Sequence, residues 1–249
     1  MSNYSALILA QGATQYWSLD EPSIPYIDAV SGMQLDHSEN ATSEPGAVHS
    51  GVSFPGTSLV RGLTLDSTVA FNVLQGFSYS YLVQFANYSV NRGVISKRRT
   101  GTVARTFSSF VFNQGTTSGL TFDIGHNQIR WSTGYYPPAK EWVHIAYTYD
   151  PTTVTGRAYV NGQLIGSNTY DTPPTDTQTS AHIMIGALQG DVAGGASSYM
   201  SGMIDEIALF TTKTLSPEEI RAQYAIALPV MRIYDGSQWL HADKKVIGA

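Results

Sequence analysis

Asp205 and Glu206 stand side by side in the run GMIDEIALF, residues 202–210, and carboxyl pairs are the first place to look for chemistry. Two acids flanking a glycosidic bond hydrolyse it with retention when they lie about 5 Å apart. The apolar Met203, Ile204, Ile207, Leu209 and Phe210 mark the run as a strand, however, and a strand sends successive side chains to opposite faces. Asp205 is therefore expected to anchor a neighbouring loop through backbone N–H groups, and Glu206 to face solvent. A second group is aromatic. Tyr135-Tyr136-Pro137-Pro138 follows Trp131 closely, and flat rings stack on sugars. Trp131, Tyr135 and Tyr136, with His126 and Asn127 as hydrogen-bonding partners, form a candidate glycan-binding set. The alternative places Trp131 in the core and the tyrosines over a sheet edge or a subunit contact.

Other chemistry finds less support. His37, His49, His126, His144, His182 and His241 lack the H-x-x-x-H spacing of a zinc motif, and His144, inside WVHIAYTYD, reads as a hydrogen-bonded structural histidine. Lys97-Arg98-Arg99 is the one basic run and is expected at a solvated hairpin tip. The sequence contains no G-x-G-x-x-G, Walker or nucleophile-elbow motif. With 14 basic against 19 acidic residues the formal charge is -5, which excludes a general electrostatic affinity for nucleic acid or an anionic membrane. The absence of cysteine excludes disulfides and thiolate metal sites. The N-terminus, MSNYSALILAQGATQYW, has no basic flank and no small-residue cleavage pattern, so no secretion signal is expected, and no apolar run approaches the ~20 residues of a membrane span.

The elements that position these residues are mostly strands. Phe77, Tyr79, Tyr81, Val83 and Phe85 recur with period two, which predicts a strand with one buried aromatic face. WVHIAYTYD and GRAYV are further strands, and Asn161-Gly162 is a strong two-residue hairpin signal. Residues 5–11 fit a short helix or a strand, and residues 36–49 read as a polar surface loop. One helix is clear. Ser216 is its N-cap, Pro217 its first residue and Glu219 its N3 acid, with Leu215 and Ile220 as a hydrophobic staple. About a dozen strands without crossover helices predict an all-β fold, an antiparallel β-sandwich with one short C-terminal helix and an appended hairpin.

Several ordered pieces resemble the laminin-G-like, concanavalin-A-like jelly roll family: YWSLDE at 16–21, the turn at 28–32, GVSFPGT, FSYSYLVQF, EWVHIAYTYD with GRAYVNGQLIG, IMIGA and the ending GMIDEIALFTTKTLSPEEIRAQY. Together they cover roughly residues 10–225. The resemblance implies a scaffold used mostly for binding. It also implies a calcium ion at the sandwich rim, for which Asp20, Glu21, Asp28 and Asp205 offer oxygen ligands. The paired glutamates of the related glucanases, an E-x-D-x-E pattern, are missing here. The final piece, MRIYDGSQWLHA, resembles hairpins near the ends of structural proteins of bacterial viruses.

These readings combine into one expectation. Residues 1–228 form the sandwich domain and 229–249 a hairpin extension, in which Asp235-Gly236 turns the chain and Tyr234 and Trp239 make an assembly contact. The protein is expected to be a non-enzymatic virion component, assembled in the host cytoplasm as a homo-oligomer on the tail or capsid exterior. Its partners are other virion proteins and host-surface glycan, with no nucleic acid and no membrane insertion. The alternatives are a capsid decoration protein without glycan affinity, and a secreted lectin or glycoside hydrolase.

Overall fold

The computed structural model describes residues 2–36, 41–56, 63–65, 75–98, 105–113, 118–124, 129–171, 173, 182–189, 196–228, 231–234 and 239–242. In chain order the elements are α1 (Asn3–Ala10), β1 (Gln15–Trp17), β2 (Tyr26–Ile27), β3 (Gln34–Asp36), β4 (Thr42–Pro45), β5 (Ser50–Pro55), β6 (Leu63–Leu65), β7 (Phe77–Phe85), β8 (Arg92–Arg98), β9 (Arg105–Phe112) and β10 (Gly119–Ile124). They continue with β11 (Ile129–Ser132), β12 (Trp142–Asp150), β13 (Thr155–Val160), β14 (Gln163–Thr169), β15 (His182–Ile185), β16 (Leu188–Gln189), β17 (Ala196–Ser197), β18 (Ser201–Phe210), α2 (Pro217–Ala227), β19 (Met231–Tyr234) and β20 (Trp239–Ala242).

Two antiparallel sheets of eight strands make the sandwich. The first runs β14-β13-β12-β7-β18-β5-β4, with β1 also paired to β18; the second runs β11-β10-β9-β8-β15-β6-β3-β2. The expected all-β jelly roll with a capped C-terminal helix is the observed architecture. Between the sheets, Phe77, Tyr79 and Phe85 of β7 meet Phe107, Phe122, Tyr147 and Tyr149 in one buried cluster. Tyr79 lies 5.0 Å from Phe107, and Phe122 lies 4.8 Å from Tyr147, ring centre to ring centre. Two hydroxyls find partners inside the layer: Tyr81 pairs with Ser109 Oγ at 2.5 Å and Tyr147 with the Tyr170 hydroxyl at 3.0 Å.

The first sheet is covered on its outer face as well. There α1 and α2 build a second core, in which Tyr4, Ile8, Leu215 and Ile220 pack on Tyr16, Leu82, Ala146, Ala208 and Phe210. This demand for cover settles residues 3–10 as a helix where local pattern did not. The α2 signals act as anticipated: Ser216 Oγ accepts the Glu219 N–H, and Glu219 returns a bond to the Ser216 N–H in a full capping box. His144, buried in β12, pairs its Nε2 with Gln223 Oε1 of α2 at 3.0 Å, and burial pushes its pKa down to about 4.

Two local expectations are corrected. Residues 42–45, read as loop, pair with β5 as an edge strand. Lys97 is not at a solvated tip; it lies fully buried in β8, paired with Phe107 and Ile183. The C-terminal strands β19 and β20 pair as a hairpin with Tyr234 opposite Trp239, and Asp235-Gly236 lies outside the described residues.

Candidate functional site

The outer face of the second sheet carries the most convergent set of recognition groups. Along β9, Ser109 and Val111 point into the sandwich, so Ser108, Phe110 and Phe112 point outward. Asp123 of β10 is in register with Ser108 on one side and Arg130 of β11 on the other. Its carboxylate accepts Ser108 Oγ at 3.1 Å and pairs with Arg130 Nε at 3.0 Å. Arg130, with its side chain 40% exposed, lays its guanidinium 5.3 Å from the Phe110 ring centre and 5.4 Å from that of Phe112. That is a cation–π arrangement in which the buried acid fixes the orientation of the exposed cation. Ser132 Oγ, 2.8 Å from the buried Thr121 Oγ1, adds a half-buried hydroxyl to the face.

This face runs into a rim of loops. The Tyr136 hydroxyl donates to the Phe112 carbonyl at 3.2 Å and lies 3.5 Å from Asn113 Oδ1. The Asn113 N–H donates to Asn91 Oδ1 at 2.9 Å, and Tyr88, whose hydroxyl donates to the Pro137 carbonyl at 2.6 Å, meets the Tyr136 ring edge-on at 5.5 Å. Arg92 braces the same loop, donating to Asn87 Oδ1 at 2.5 Å and to the Tyr199 carbonyl at 3.2 Å.

The three aromatic candidates separate by burial. Tyr136 is 37% exposed. Tyr135 is half-buried against the core, and its carbonyl accepts the Leu120 N–H at 2.7 Å. Trp131 closes the gap between the sheets, 5.8 Å from Phe122 and so close over Gly166 that an added Cβ there would lie 2.9 Å from its Cζ2. His126 and Asn127 lie outside the described residues, as do the side chains of Tyr234 and Trp239. Arg130, Asp123 and Asn113 escaped the sequence reading. The signal for Arg130 was its place next to Trp131, since alternation turns one outward when the other turns in.

The four calcium candidates are not drawn together. Asp28 accepts the N–H groups of Tyr16 (2.7 Å), Val30 (3.0 Å) and Ser31 (3.2 Å); Asp20 accepts that of Ser50 at 3.1 Å and Glu21 that of Ile27 at 3.0 Å. Among the described residues no group of three or more His, Asp or Glu side chains is placed to hold a metal ion.

Asp205 and Glu206 overturn the expectation of opposite faces. The register of β18 against β7 slips between Asp205 and Ala208, and Glu206 takes a left-handed φ of 53°. This β-bulge inserts one residue, so Ile204 and Ile207 point into the sandwich while both acids emerge on the outer face beneath α1. Neither reaches solvent. Asp205 Oδ2 does anchor a loop, accepting the N–H groups of Ala47 (3.0 Å) and Val48 (2.9 Å). Glu206 Oε2 accepts a hydrogen bond from the Tyr16 hydroxyl. Burial raises Asp205 to about 8, against the pull of the Val48 N–H; burial and then the neighbouring Asp205 raise Glu206 to about 9. Near neutral pH both are held protonated.

Residues 58–221 match the family described as the concanavalin A-like lectin/glucanases superfamily. The chain belongs to this superfamily. Solved structures agree with that membership at the level of fold. Domain 4 of AbnA, a GH43 extracellular arabinanase from Geobacillus stearothermophilus, in complex with arabinotriose, aligns with TM-score 0.63 at 17% identity, covering 85% of this chain and 98% of that one. Trypanosoma rangeli sialidase in complex with sialic acid aligns with TM-score 0.59 at 16% identity, over 84% of this chain but only 32% of the sialidase. A heptameric SAP-like pentraxin from Limulus polyphemus aligns with TM-score 0.54 at 15% identity, over 69% and 79%. No curated protein matches the sequence. The expectation of a non-enzymatic protein is corrected here, because this superfamily joins lectins to glucanases and the matching folds include part of an arabinanase and a sialidase. Among the described residues no helix is long and apolar enough to cross a membrane.

Proposed function

We propose that the protein binds saccharide through the outer face and rim of its second sheet. The observation that carries this is the exposed Tyr136 ring, braced by Tyr88 and the Phe112 carbonyl, beside Asn113 and continuous through Phe112 with Arg130 and Ser132. A flat apolar ring flanked by amide, hydroxyl and guanidinium groups suits a sugar, which has one apolar face and a girdle of hydroxyls. Membership in a superfamily of lectins and glucanases supports a saccharide ligand, as does the arabinotriose bound by the Geobacillus domain. The virion setting joins the short C-terminal likeness to the sandwich resemblance and the reading of the N-terminus, and the family favours the lectin reading over it.

A glycan array followed by titration of the strongest saccharide tests this. Tyr136→Ala is expected to weaken binding about ten-fold, the worth of about one aromatic contact. Wild-type affinity in that variant would remove the site. Assaying the same saccharide for new reducing ends reads hydrolysis directly.

The division into residues 1–228 and 229–249, with the hairpin as a contact between copies, belongs to the same proposal. Deleting 229–249 is expected to lower the oligomer mass in light scattering while the sandwich keeps its melting temperature. An unchanged mass would dismiss the hairpin as an assembly contact.

A further inference from the structure

Arg92 opens β8 at the end of the sandwich where β7 and β9 finish, and it is only 5% exposed. A guanidinium keeps its charge near neutral pH, so a buried one calls for a counter-charge. Among the described residues it has none. Nη2 donates to Asn87 Oδ1 at 2.5 Å and to Ser89 Oγ at 3.3 Å, and Nη1 donates to the Tyr199 carbonyl at 3.2 Å. Nε is buried without a partner. Every acceptor is neutral, and Asp123 on the adjoining face is already paired with Arg130. Burial holds the pKa of Arg92 below the ordinary guanidinium value. The loop above it belongs to the saccharide rim: Asn91 Oδ1 accepts the Asn113 N–H at 2.9 Å, and Tyr88 meets the Tyr136 ring at 5.5 Å.

We propose that the saccharide read at this rim is an acidic one, a uronic acid whose carboxylate pairs with Arg92. This rests on the saccharide reading above and adds the charge of the ligand to it. Nε and Nη2 share one edge of the guanidinium, the fork that a planar carboxylate grips with both oxygens. One prong of that fork has no partner, and the other is held by Asn87 and Ser89, which are both exposed. Rotating those two surface side chains outward opens the edge, and the carboxylate supplies the acceptors and the charge that they lack. A neutral hexose leaves Nε unmet and the buried charge unbalanced.

Sodium glucuronate and sodium galacturonate, each against its parent hexose, are titrated into the full chain near neutral pH. At least one uronate is expected to bind about ten-fold more tightly than its hexose, the worth of about one charge-assisted hydrogen bond. Asn87→Asp places a carboxylate of the protein itself on Arg92. It is expected to raise the melting temperature, since the buried charge gains its partner, and to remove the preference for the uronate. Arg92→Gln, whose amide still donates to the loop, is expected to remove that preference too. Equal binding of uronate and hexose by the wild type overturns the inference and leaves the saccharide reading standing. Failure of both uronates to bind, or a preference that persists in Asn87→Asp, overturns it as well. The saccharide face is tested apart from this: uronate affinity untouched by Tyr136→Ala would remove the outer-face site and leave the Arg92 pairing in place.

Discussion

Gly202→Ala is expected to destabilise the protein by about 3 kcal/mol or more, a large part of the roughly 5–15 kcal/mol that holds a domain folded. Gly202 lies in β18, between Phe54 of β5 and Phe85 of β7, with φ +136°. A Cβ built there falls 1.9 Å from the Gln84 carbonyl oxygen, so a side chain must push apart two strands in the middle of the first sheet. Backbone strain adds to the collision, since residues with a Cβ avoid that φ. Gly134→Ala is the control: φ is +75° there, but nothing lies within 4 Å of an added Cβ, so it reports the strain alone, about 1 kcal/mol. Urea denaturation of the two variants checks this. Equal losses would mean that the close approach to Gln84 contributes nothing.

Stability should also fall as pH rises, because of Asp205 and Glu206. Their folded values, about 8 and about 9, stand above the ordinary 3.8 and 4.5. Below the ordinary values both states are protonated and the pair has no effect. Between the two sets of values the unfolded chain binds fewer protons than the folded one, so stability drops by up to about 1.4 kcal/mol per pH unit for each group. His144, with its folded value pushed down to about 4, acts in the opposite sense below its ordinary 6.5 and offsets part of the slope there. Glu206→Gln keeps an oxygen to accept the Tyr16 hydroxyl and has no proton to lose. It is expected to raise the melting temperature near pH 8, flatten the profile and change little near pH 5. A wild-type melting temperature that climbs from pH 5 to 8, or a Glu206→Gln profile parallel to it, would show that the pair ionises without cost.

How much of this was legible depended on whether a feature is local. The aromatic period of β7, the Asn161-Gly162 turn and the Ser216 capping box each act within a few residues, and each appears where the sequence placed it. Asn161 and Gly162 take φ values of 50° and 75°, as a tight hairpin turn requires. The bulge at Glu206 is different, because a one-residue insertion is set by how β18 pairs with β7, and period-two reading assumes no such slip. Lys97 misled for a related reason: three basic residues in a row look solvated until pairing with Phe107 and Ile183 turns the first inward. In the candidate site, the string of aromatics at 131–136 was visible, but which ring faces solvent depends on Phe122 of the neighbouring strand and on Gly166, far along the chain. Arg130 gains its setting from Phe110, Phe112 and Asp123 on two other strands.

Chemical-shift mapping of the isotope-labelled protein with the strongest array saccharide tests the central claim most directly. The largest amide shifts are predicted at Asn113, Arg130, Ser132 and Tyr136, fading across the first sheet. Shifts concentrated elsewhere while these four stay still, or no response to any saccharide, would contradict binding at the outer face of the second sheet.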